Sequence, residues 1–198
     1  MVAQNLRTVL DDFAPGDHLA DLHQVHGAEV DVVEDRASTD RPDADGIVTR
    51  RTGEVLMVRA ADCVPVLLAD AEAGVIGAAH CGRPGLGAGV VPQTVSRMRD
   101  LGAESITAWI GPHVCGACYE VPEHMQAQIG AMVPASVATT SWGTPSIDLG
   151  AGVRAQLTAE GIPIHDVSRC TLESPDLYSY RRDGAGAGRL AGLIRLRP

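Results

Sequence analysis

The sequence contains no lysine, and all 16 of its basic residues are arginine. Schiff-base enzymes, pyridoxal phosphate enzymes and Walker-type phosphate loops all need a lysine side chain, so these mechanisms are excluded. An anionic substrate must therefore be held by arginine side chains or by backbone amides. The formal net charge is −9, which argues against nucleic acid as a partner because phosphate backbones require a basic surface.

Aromatic residues make up only 3% of the chain, so its core must be built from valine, leucine, isoleucine and alanine. A chain of 198 residues is long enough to form one compact domain. No apolar run approaches the ~20 residues of a membrane span, and the first residues lack the features of a signal peptide. We therefore expect a cytoplasmic protein with no membrane partner.

The number of cysteines, five, is odd. In a cytoplasmic protein such cysteines are better interpreted as free thiols or metal ligands than as disulfides.

The hydrophobic pattern predicts strands and helices that do not alternate strictly, which favours an α+β fold over a doubly wound sheet. Strands are predicted at 30–34, 54–59, 64–70, 75–80, 106–110, 164–167 and 190–196. Helices are predicted at 85–101, from Pro122 to about Met132, and from an Asp148 N-cap to Glu160, closed by Gly161. The polar stretch 35–45 is predicted to be a surface loop, and 71–74 a hairpin connection.

Four short segments combine cysteine or histidine with small residues beside apolar runs, at 23–27, 61–69, 78–82 and 111–121. Such segments are typical of a metal or nucleophile site assembled from separate strands. Within them, His26, Cys63 and His80 form a suitable zinc set, because three protein ligands leave a fourth position for water or substrate. Taken singly, each also has an ordinary structural interpretation: a loop histidine, a small buried thiol and a core histidine.

Two further groups stand out by their residue types. Cys115 and Cys118 have the spacing of half a zinc site or a redox pair, but packing beneath a glycine-rich loop is favoured. Tyr180, Arg181 and Arg182 belong to the densest arginine and aromatic cluster, which suits an anion beside a planar ring, but composition alone favours a solvated turn before the last strand. We expect Cys81, Cys115, Cys118 and Cys170 not to be metal ligands, and Cys81 to face away from His80 because neighbouring strand residues point to opposite faces.

Together the motifs resemble the YfiH-type laccase-domain family, also called polyphenol oxidase or peptidoglycan editing factor proteins. The resemblance rests on Gln-Val-His-Gly at 24–27, Ala-Asp-Cys-Val-Pro-Val-Leu-Leu at 61–68, Ala-Ala-His-Cys-Gly-Arg-Pro-Gly at 78–85, Gly-Pro-His-Val-Cys-Gly-Ala-Cys-Tyr-Glu-Val at 111–121 and Ser-Tyr-Arg-Arg-Asp-Gly at 179–184. It covers nearly the whole chain in order.

The resemblance implies a single-domain mixed α/β sandwich over residues 1–198. It also implies purine nucleoside phosphorylase activity, with adenosine deaminase and methylthioadenosine phosphorylase activities in the same site. Purine nucleosides and phosphate would then be the partners, and His26, Cys63 and His80 the zinc ligands. Substrate binding would fall to Tyr180, Arg181 and Arg182. Asp62 directly precedes a proposed ligand in a tight apolar context, so we expect it to orient a ligand or to handle a proton; the alternative is an aspartate that serves only a turn or a cap.

Several positions depart from the family pattern. Arg83-Pro84 replaces a Trp-Arg pair, Cys81 replaces an alanine, and Ala117 replaces the first cysteine of a Cys-Cys pair. We also expect the family's usual N-terminal segment to be missing, because His23 lies so near the start. These differences predict weak activity.

Other functions remain open at this stage. Cys63 as nucleophile with His80 as base would make a hydrolase, which a zinc ion on Cys63 would exclude. Copper is a weaker alternative to zinc, because the chain has no His-x-His motif of multicopper oxidases. A metal-stabilised binding protein linked to cell-wall assembly is the non-enzymatic alternative. Neither the preferred nucleoside nor the oligomeric state follows from the sequence.

Overall fold

Two sheets and a group of helices form three layers in the computed structural model, which describes residues 2–34 and 41–197. The helices in these residues are α1 Val2–Phe13, α2 Arg83–Ala88, α3 Val90–Asp100, α4 Glu123–Met132, α5 Leu149–Ala159 and α6 Tyr180–Asp183. The strands are β1 His18–Ala20, β2 Val30–Val32, β3 Gly46–Thr49, β4 Glu54–Ala60, β5 Val64–Asp70, β6 Val75–Cys81, β7 Thr107–Ile110, β8 Val137–Thr139, β9 Pro145–Ile147, β10 Ile164–Asp166 and β11 Leu190–Arg195.

A six-stranded mixed sheet in the order β10-β7-β5-β6-β3-β2 forms the centre of the molecule. Its inner strands β5 and β6 pair antiparallel as the predicted hairpin, with Val64 opposite Cys81 and Pro65 opposite His80. One face of this sheet packs on α2 to α5. The other packs on a three-stranded sheet in the order β1-β4-β11, and a small hairpin of β8 and β9 stands apart.

Strand β6 is buried along its whole length and separates the two cores. Its residues alternate between them: Ile76 and Ala78 join the core beneath the three-stranded sheet, whereas Val75 and Cys81 join the core beneath the helices. His80 has the same parity as Ile76 and Ala78, so its side chain lies on the side away from the helices. The prediction that His80 and Cys81 face opposite ways agrees with this arrangement.

The helix predicted at 85–101 is wrong in one respect, because it is two helices. Gly89 has a φ of +81° and ends α2, its amide donating to the carbonyl oxygen of Leu86 at 3.2 Å, before α3 begins at Val90. Only glycine adopts this left-handed conformation readily, so the break is built into the sequence. The core-facing spacing of Val91, Val95 and Met98 in α3 is as predicted.

The other predicted elements are present with small changes in their ends. Asp148 is the N-cap of α5, its carboxylate accepting from the amide of Ala151 at 2.7 Å, and Gly161 follows the helix with a φ of +71°. Pro122 directly precedes α4 rather than beginning it. The sequence did not predict α1, β1, β3, β8 or β9, four of which are strands of only three or four residues.

The predicted surface loop at 35–45 is wrong at its C-terminal end. Residues 35–40 lie outside the described part of the chain, but Ala44 and Asp45 are buried. Asp45 directly precedes β3 and is fully inaccessible to solvent. A carboxylate in that position must be paired, and its partners lie in the candidate site.

Candidate metal centre and substrate cleft

A cleft of about 830 Å³ opens where β4 and β6 end and where β5 and β11 begin. It draws on both sheets, because the strand register places Ala60 at the end of β4 opposite Leu190 at the start of β11. The cleft is lined by His23, Gln24, His26, Arg59, Ala60, Ala61, Asp62, Cys63, His80, Arg83, Pro84, Tyr119, Tyr180, Arg181 and Arg189.

His26, Cys63 and His80 come together at the floor of this cleft. Their ligand atoms all lie within 4.8 Å of one another, and Cys63 Sγ is 3.9 Å from His26 Nε2. The three residues belong to different segments: the loop after β1, the residue before β5 and the penultimate residue of β6. The sequence-based prediction therefore chose residues that the fold brings within reach of one ion.

The loop that carries His26 is anchored by a side chain that sequence reasoning missed. Gln24 donates its amide to the carbonyl oxygen of Arg59 at 2.7 Å and accepts from the Arg59 amide at 2.8 Å. Through these two bonds the Gln24 side chain pairs with the backbone of β4, as a residue of a neighbouring strand would. His26 then takes a φ of +61°, an uncommon conformation for a residue with a side chain.

Asp45 is the second residue missed from the sequence, and it fixes the orientation of His80. Its Oδ1 lies 2.7 Å from His80 Nδ1, and its Oδ2 accepts from the amides of Val25 and Gly27 at 3.1 and 2.7 Å. His80 Nδ1 is thereby committed to the carboxylate, leaving Nε2 as the ring nitrogen that can bind a metal. The same carboxylate also holds the loop of His26, so one buried group positions two of the three ligands.

The electrostatics of the three ligands are strongly coupled. Burial alone would raise the pKa of the Cys63 thiol, but hydrogen bonds and charge from His26 and His80 outweigh it and lower the pKa to about 7. Burial would lower the pKa of His80, but Asp45 and Cys63 raise it to about 9. The pKa of Asp45 is lowered, because hydrogen bonds from His80 and the backbone outweigh its burial.

Gly82 makes room for the ligands. A Cβ atom at this position would lie 2.7 Å from His26 Cδ2 and 3.1 Å from Cys63 Sγ. The φ of Gly82 is −85°, which other residues also adopt. The requirement for glycine here is therefore steric, and no pattern in the sequence indicates it.

Asp62 lies beside Cys63 but binds protein groups. Its Oδ1 accepts from the hydroxyl of Thr171 and its Oδ2 from the amide of Arg181, each at 2.7 Å. The residue has a φ of +85°. Its carboxylate thus joins the start of β5 to α6, and these contacts favour a positioning role over proton transfer.

Arg181 and Arg182 diverge although they are neighbours. Arg181 lines the cleft with its guanidinium carbon 4.5 Å from the centre of the Tyr119 ring. Arg182 turns away: its guanidinium donates to the carbonyl oxygens of Thr171, Ser174 and Leu177, as well as to the carboxylate of Asp183. These bonds favour a role for Arg182 in holding the 171–177 loop.

The walls of the cleft carry further arginine and tyrosine side chains. Tyr180 is half exposed, and the guanidinium carbon of Arg189 lies 5.9 Å from its ring centre. Arg83 begins α2 at the cleft wall, so the arginine that departs from the family pattern still faces the site. Arg59 is paired with Asp21 at 3.3 Å, which leaves Arg83, Arg181 and Arg189 better suited to meet an anion.

The ligand set fits a zinc ion. One thiolate and two imidazoles from a partly enclosed cleft provide three ligands and an open position, which is the pattern of catalytic zinc sites. A thiolate and two imidazoles also bind copper, so this ligand set fits either ion. Cys81 packs in the helix-side core, and Cys115, Cys118 and Cys170 form a separate group with Glu173.

Comparison with known proteins places this chain in a family. Residues 1–197 match the family described as multi-copper polyphenol oxidoreductase laccase. The chain belongs to this family. The chain is also similar to curated proteins named purine nucleoside phosphorylase: one from Streptomyces griseus is 53% identical, covering 90% of this chain and 74% of its own length. Another, from Streptomyces coelicolor, is 54% identical over 88% of this chain and 74% of its own length.

Solved structures of the laccase-like family confirm the fold. YlmD from Geobacillus stearothermophilus superposes with a TM-score of 0.88 at 31% identity, covering 100% of this chain and 80% of that protein. The Neisseria meningitidis protein NMB0706 gives a TM-score of 0.85 at 30% identity, covering 100% and 81%. The resemblance recognised from the motifs and the predicted α+β sandwich are thus both confirmed. None of the helices in the described residues has the length and apolar character needed to cross a membrane.

Proposed function

We propose that this protein is a zinc-dependent purine nucleoside phosphorylase, with adenosine deaminase and methylthioadenosine phosphorylase side activities in the same cleft. The observation that carries the proposal is the placement of His26, Cys63 and His80 on the floor of a cleft walled by arginine and tyrosine. The names of the relatives agree with a nucleoside substrate.

Phosphorolysis requires phosphate, ribose and base to be held in line. A phosphate oxygen attacks C1′ of the ribose, the bond from C1′ to the purine nitrogen breaks with its electron pair on the base, and the base leaves after gaining a proton. The products are the free purine and ribose 1-phosphate. The protein has to supply cations for the phosphate, a surface for the base and a means of stabilising the departing purine.

The chain's own groups suit the first two requirements. Arg181, with Arg83 or Arg189, supplies the guanidinium groups that bind a phosphate dianion through paired N–H donors. The rings of Tyr119 and Tyr180 line the same cleft and offer flat surfaces for a purine. Within this proposal Arg182 and Asp62 are positioning residues, because they hold the segment that carries Tyr180 and Arg181.

A metal ion would be held by Cys63, by His26 and by the Nε2 atom of His80. When bound there, it would supply Lewis-acid chemistry at its open coordination position. Asp45 keeps His80 in the required tautomer, and Gly82 keeps the space between His26 and Cys63 clear. We propose zinc over copper on the basis of this donor set.

The test is chromatography of adenosine, inosine and methylthioadenosine incubated with zinc-loaded protein, each with and without phosphate. We expect phosphate-dependent release of the nucleobase from each, and slow conversion of adenosine to inosine without phosphate. The control is Cys63→Ala prepared in parallel. If no substrate yields free base or inosine at high protein concentration, the enzymatic proposal fails and the binding-protein alternative takes its place.

A hydrolase that uses Cys63 is a second candidate, favoured by one observation. Without a metal, Cys63, His80 and Asp45 form a thiol–imidazole–carboxylate series, and the pKa of Cys63 is lowered to about 7. Elemental analysis of protein purified without a histidine tag separates the candidates. A metal content no higher than that of Cys63→Ala, together with a Cys63 that is readily alkylated, would support the hydrolase.

A further inference from the structure

A second group of thiols lies outside the metal centre described above. Two tight turns face each other, and each presents two potential ligands three residues apart: Cys115 and Cys118 in one, Cys170 and Glu173 in the other. The three sulfur atoms and a carboxylate oxygen of Glu173 all lie within 4.8 Å of one another. Cys118 is buried and Glu173 is exposed, so the group extends from the interior of the protein to its surface.

The backbone holds both turns in place. In the first, the amides of Cys118 and Tyr119 both donate to the carbonyl oxygen of Cys115 at 3.0 Å. In the second, the amide of Ser174 donates to the carbonyl oxygen of Cys170 at 3.1 Å. Backbone hydrogen bonds join the turns on either side of Cys170. The amide of His113 donates to the carbonyl oxygen of Arg169 at 3.1 Å, and the carbonyl oxygen of His113 accepts from the amide of Thr171 at 3.0 Å.

The distances suit a tetrahedral ion. Zinc–sulfur bonds of ~2.3 Å place neighbouring tetrahedral ligands roughly 3.7 Å apart, so the ligand atoms would have to approach one another by at most about 1.1 Å to complete the site. Cys115 Sγ already lies 4.0 Å from Glu173 Oε2. The amide of Cys115 also points at Cys170 Sγ at 3.5 Å, and an N–H donor of this kind stabilises a thiolate.

We propose that Cys115, Cys118, Cys170 and Glu173 bind a second zinc ion with a structural role. Four protein ligands leave no open position, which distinguishes this site from the three-ligand centre in the cleft. Three thiolates favour a soft or borderline ion such as zinc over magnesium or calcium. The proposal reverses the sequence-based expectation that these cysteines are not ligands, and it does not depend on the phosphorylase function.

The position of the site suggests what the ion stabilises. The 171–177 loop, which begins beside Cys170, supplies the carbonyl oxygens that accept from Arg182. The turn at 115–118 leads directly into Tyr119, whose ring lies under Arg181. An ion that joins the two turns would therefore fix both sides of the Arg181–Tyr119 contact in the cleft wall.

Elemental analysis of untagged protein after gel filtration tests the proposal. We expect about two zinc ions per chain in the wild type, about one in Cys63→Ala, and about one in Cys170→Ser. Cys63→Ala combined with Cys118→Ser should contain none. Because Cys63→Ala isolates the second site, the result is independent of whether the protein cleaves nucleosides.

The milder variant Glu173→Gln guards against misfolding, because Glu173 is exposed. Placed in the Cys63→Ala background, it should lose zinc to a weak chelator that leaves the parent loaded. Its matched control is Glu104→Gln, an equivalent change at another exposed position. Zinc retention by Glu173→Gln equal to that of the control would contradict the proposed ligand set.

Hydrogen exchange supplies a local readout. Removal of zinc from Cys63→Ala should speed exchange at Ser174 and Leu177 while the amides of β5 and β6 stay protected. The proposal is overturned if Cys63→Ala contains no zinc. It is equally overturned if mass spectrometry of non-reduced protein shows two of Cys115, Cys118 and Cys170 joined by a disulfide.

Discussion

At the scale of single residues, Asp45 acts on the cleft although it does not line it. Its carboxylate bonds His80 Nδ1 and the amides of Val25 and Gly27, so it connects two ligands that are far apart in sequence. A group that accepts from a ligating histidine fixes its tautomer and its basicity. Charge at Asp45 should therefore influence metal binding although the residue cannot reach the metal itself.

Asp45→Asn tests this influence. The amide can no longer hold the His80 tautomer by charge, and we expect a loss of metal affinity of about 10–100-fold. Competition with a coloured zinc chelator measures it. The control is Asp43→Asn, since Asp43 makes an exposed contact with His23 at 2.6 Å. Wild-type affinity in folded Asp45→Asn would show that the tautomer is fixed by other groups.

Gly82→Ala tests the space between two ligands. The added methyl group would meet His26 and Cys63, whereas the backbone conformation suits alanine. We expect a protein that folds but binds zinc poorly, with circular dichroism and elemental analysis as the measurements. Gly186→Ala is the matched control, because no atom lies within 4 Å of the added carbon there. Full zinc content in Gly82→Ala would mean that His26 moves aside at little cost.

The reactivity of Cys63 in metal-free protein should follow its pKa. Only the thiolate is alkylated, and the pKa of about 7 means that its fraction rises with pH through neutrality. The alkylation rate by iodoacetamide should therefore increase up to about pH 8 and then level off. Burial raises the pKa of Cys81, which should stay unmodified. Added zinc should protect Cys63, and an unprotected thiol would argue against its role as a ligand.

At the scale of elements, the cleft forms because strand ends from both sheets meet at one edge. Cys63 directly precedes β5 and lies across from Gly82, as the pairing of Val64 with Cys81 requires. His80 then falls on the face of β6 that is turned away from the helices. Hairpin register therefore determines the distance between two of the three ligands, and a shift of one residue would send His80 into the helix-side core.

Asp62→Asn probes the link between β5 and α6. In asparagine one carboxylate oxygen becomes an NH2 group that donates and cannot accept, so the bonds from the Thr171 hydroxyl and the Arg181 amide cannot both be kept and the segment with Tyr180 and Arg181 should lose its anchor. We expect the variant to retain zinc but to lose most of its turnover. The KM should rise, whereas the free energy of unfolding should change little. Steady-state kinetics and elemental analysis measure both. Thr171→Val, which removes one bond and keeps the charge, should have an intermediate effect; full activity in Asp62→Asn would contradict the link.

Elements with strong local patterns could be predicted from the sequence, whereas others depended on distant contacts. The β5–β6 hairpin and the Asp148 cap follow from apolar runs and a capping residue. The apolar periodicity continues across Gly89, so the pattern predicts one helix over 85–101 where the structure has two. The ligand trio emerged from motif resemblance, but Asp45 was missed because its partner His80 is 35 residues away and no spacing rule connects them.

At the scale of the whole molecule, a metal in the cleft would connect segments that belong to different sheets. His26 lies in the loop that Gln24 attaches to the three-stranded sheet, whereas His80 belongs to the central sheet and Cys63 directly precedes its strand β5. An ion bound to all three would therefore crosslink the two sheets at their shared edge. Such an ion would bind the folded chain more tightly than the unfolded one, in which the three ligands are far apart, so it should raise stability by mass action.

Removal of the metal should lower the unfolding temperature accordingly. Free zinc at 100 times its dissociation constant contributes ~2.7 kcal/mol, which corresponds to roughly 5–10 °C for a chain of this length. Differential scanning calorimetry with and without a strong chelator measures the shift. In Cys63→Ala the chelator should cause a smaller shift, retaining only the part due to the second proposed site. An equal shift in both proteins would mean that the cleft metal leaves the two sheets uncoupled, and that the stabilising ion is bound elsewhere.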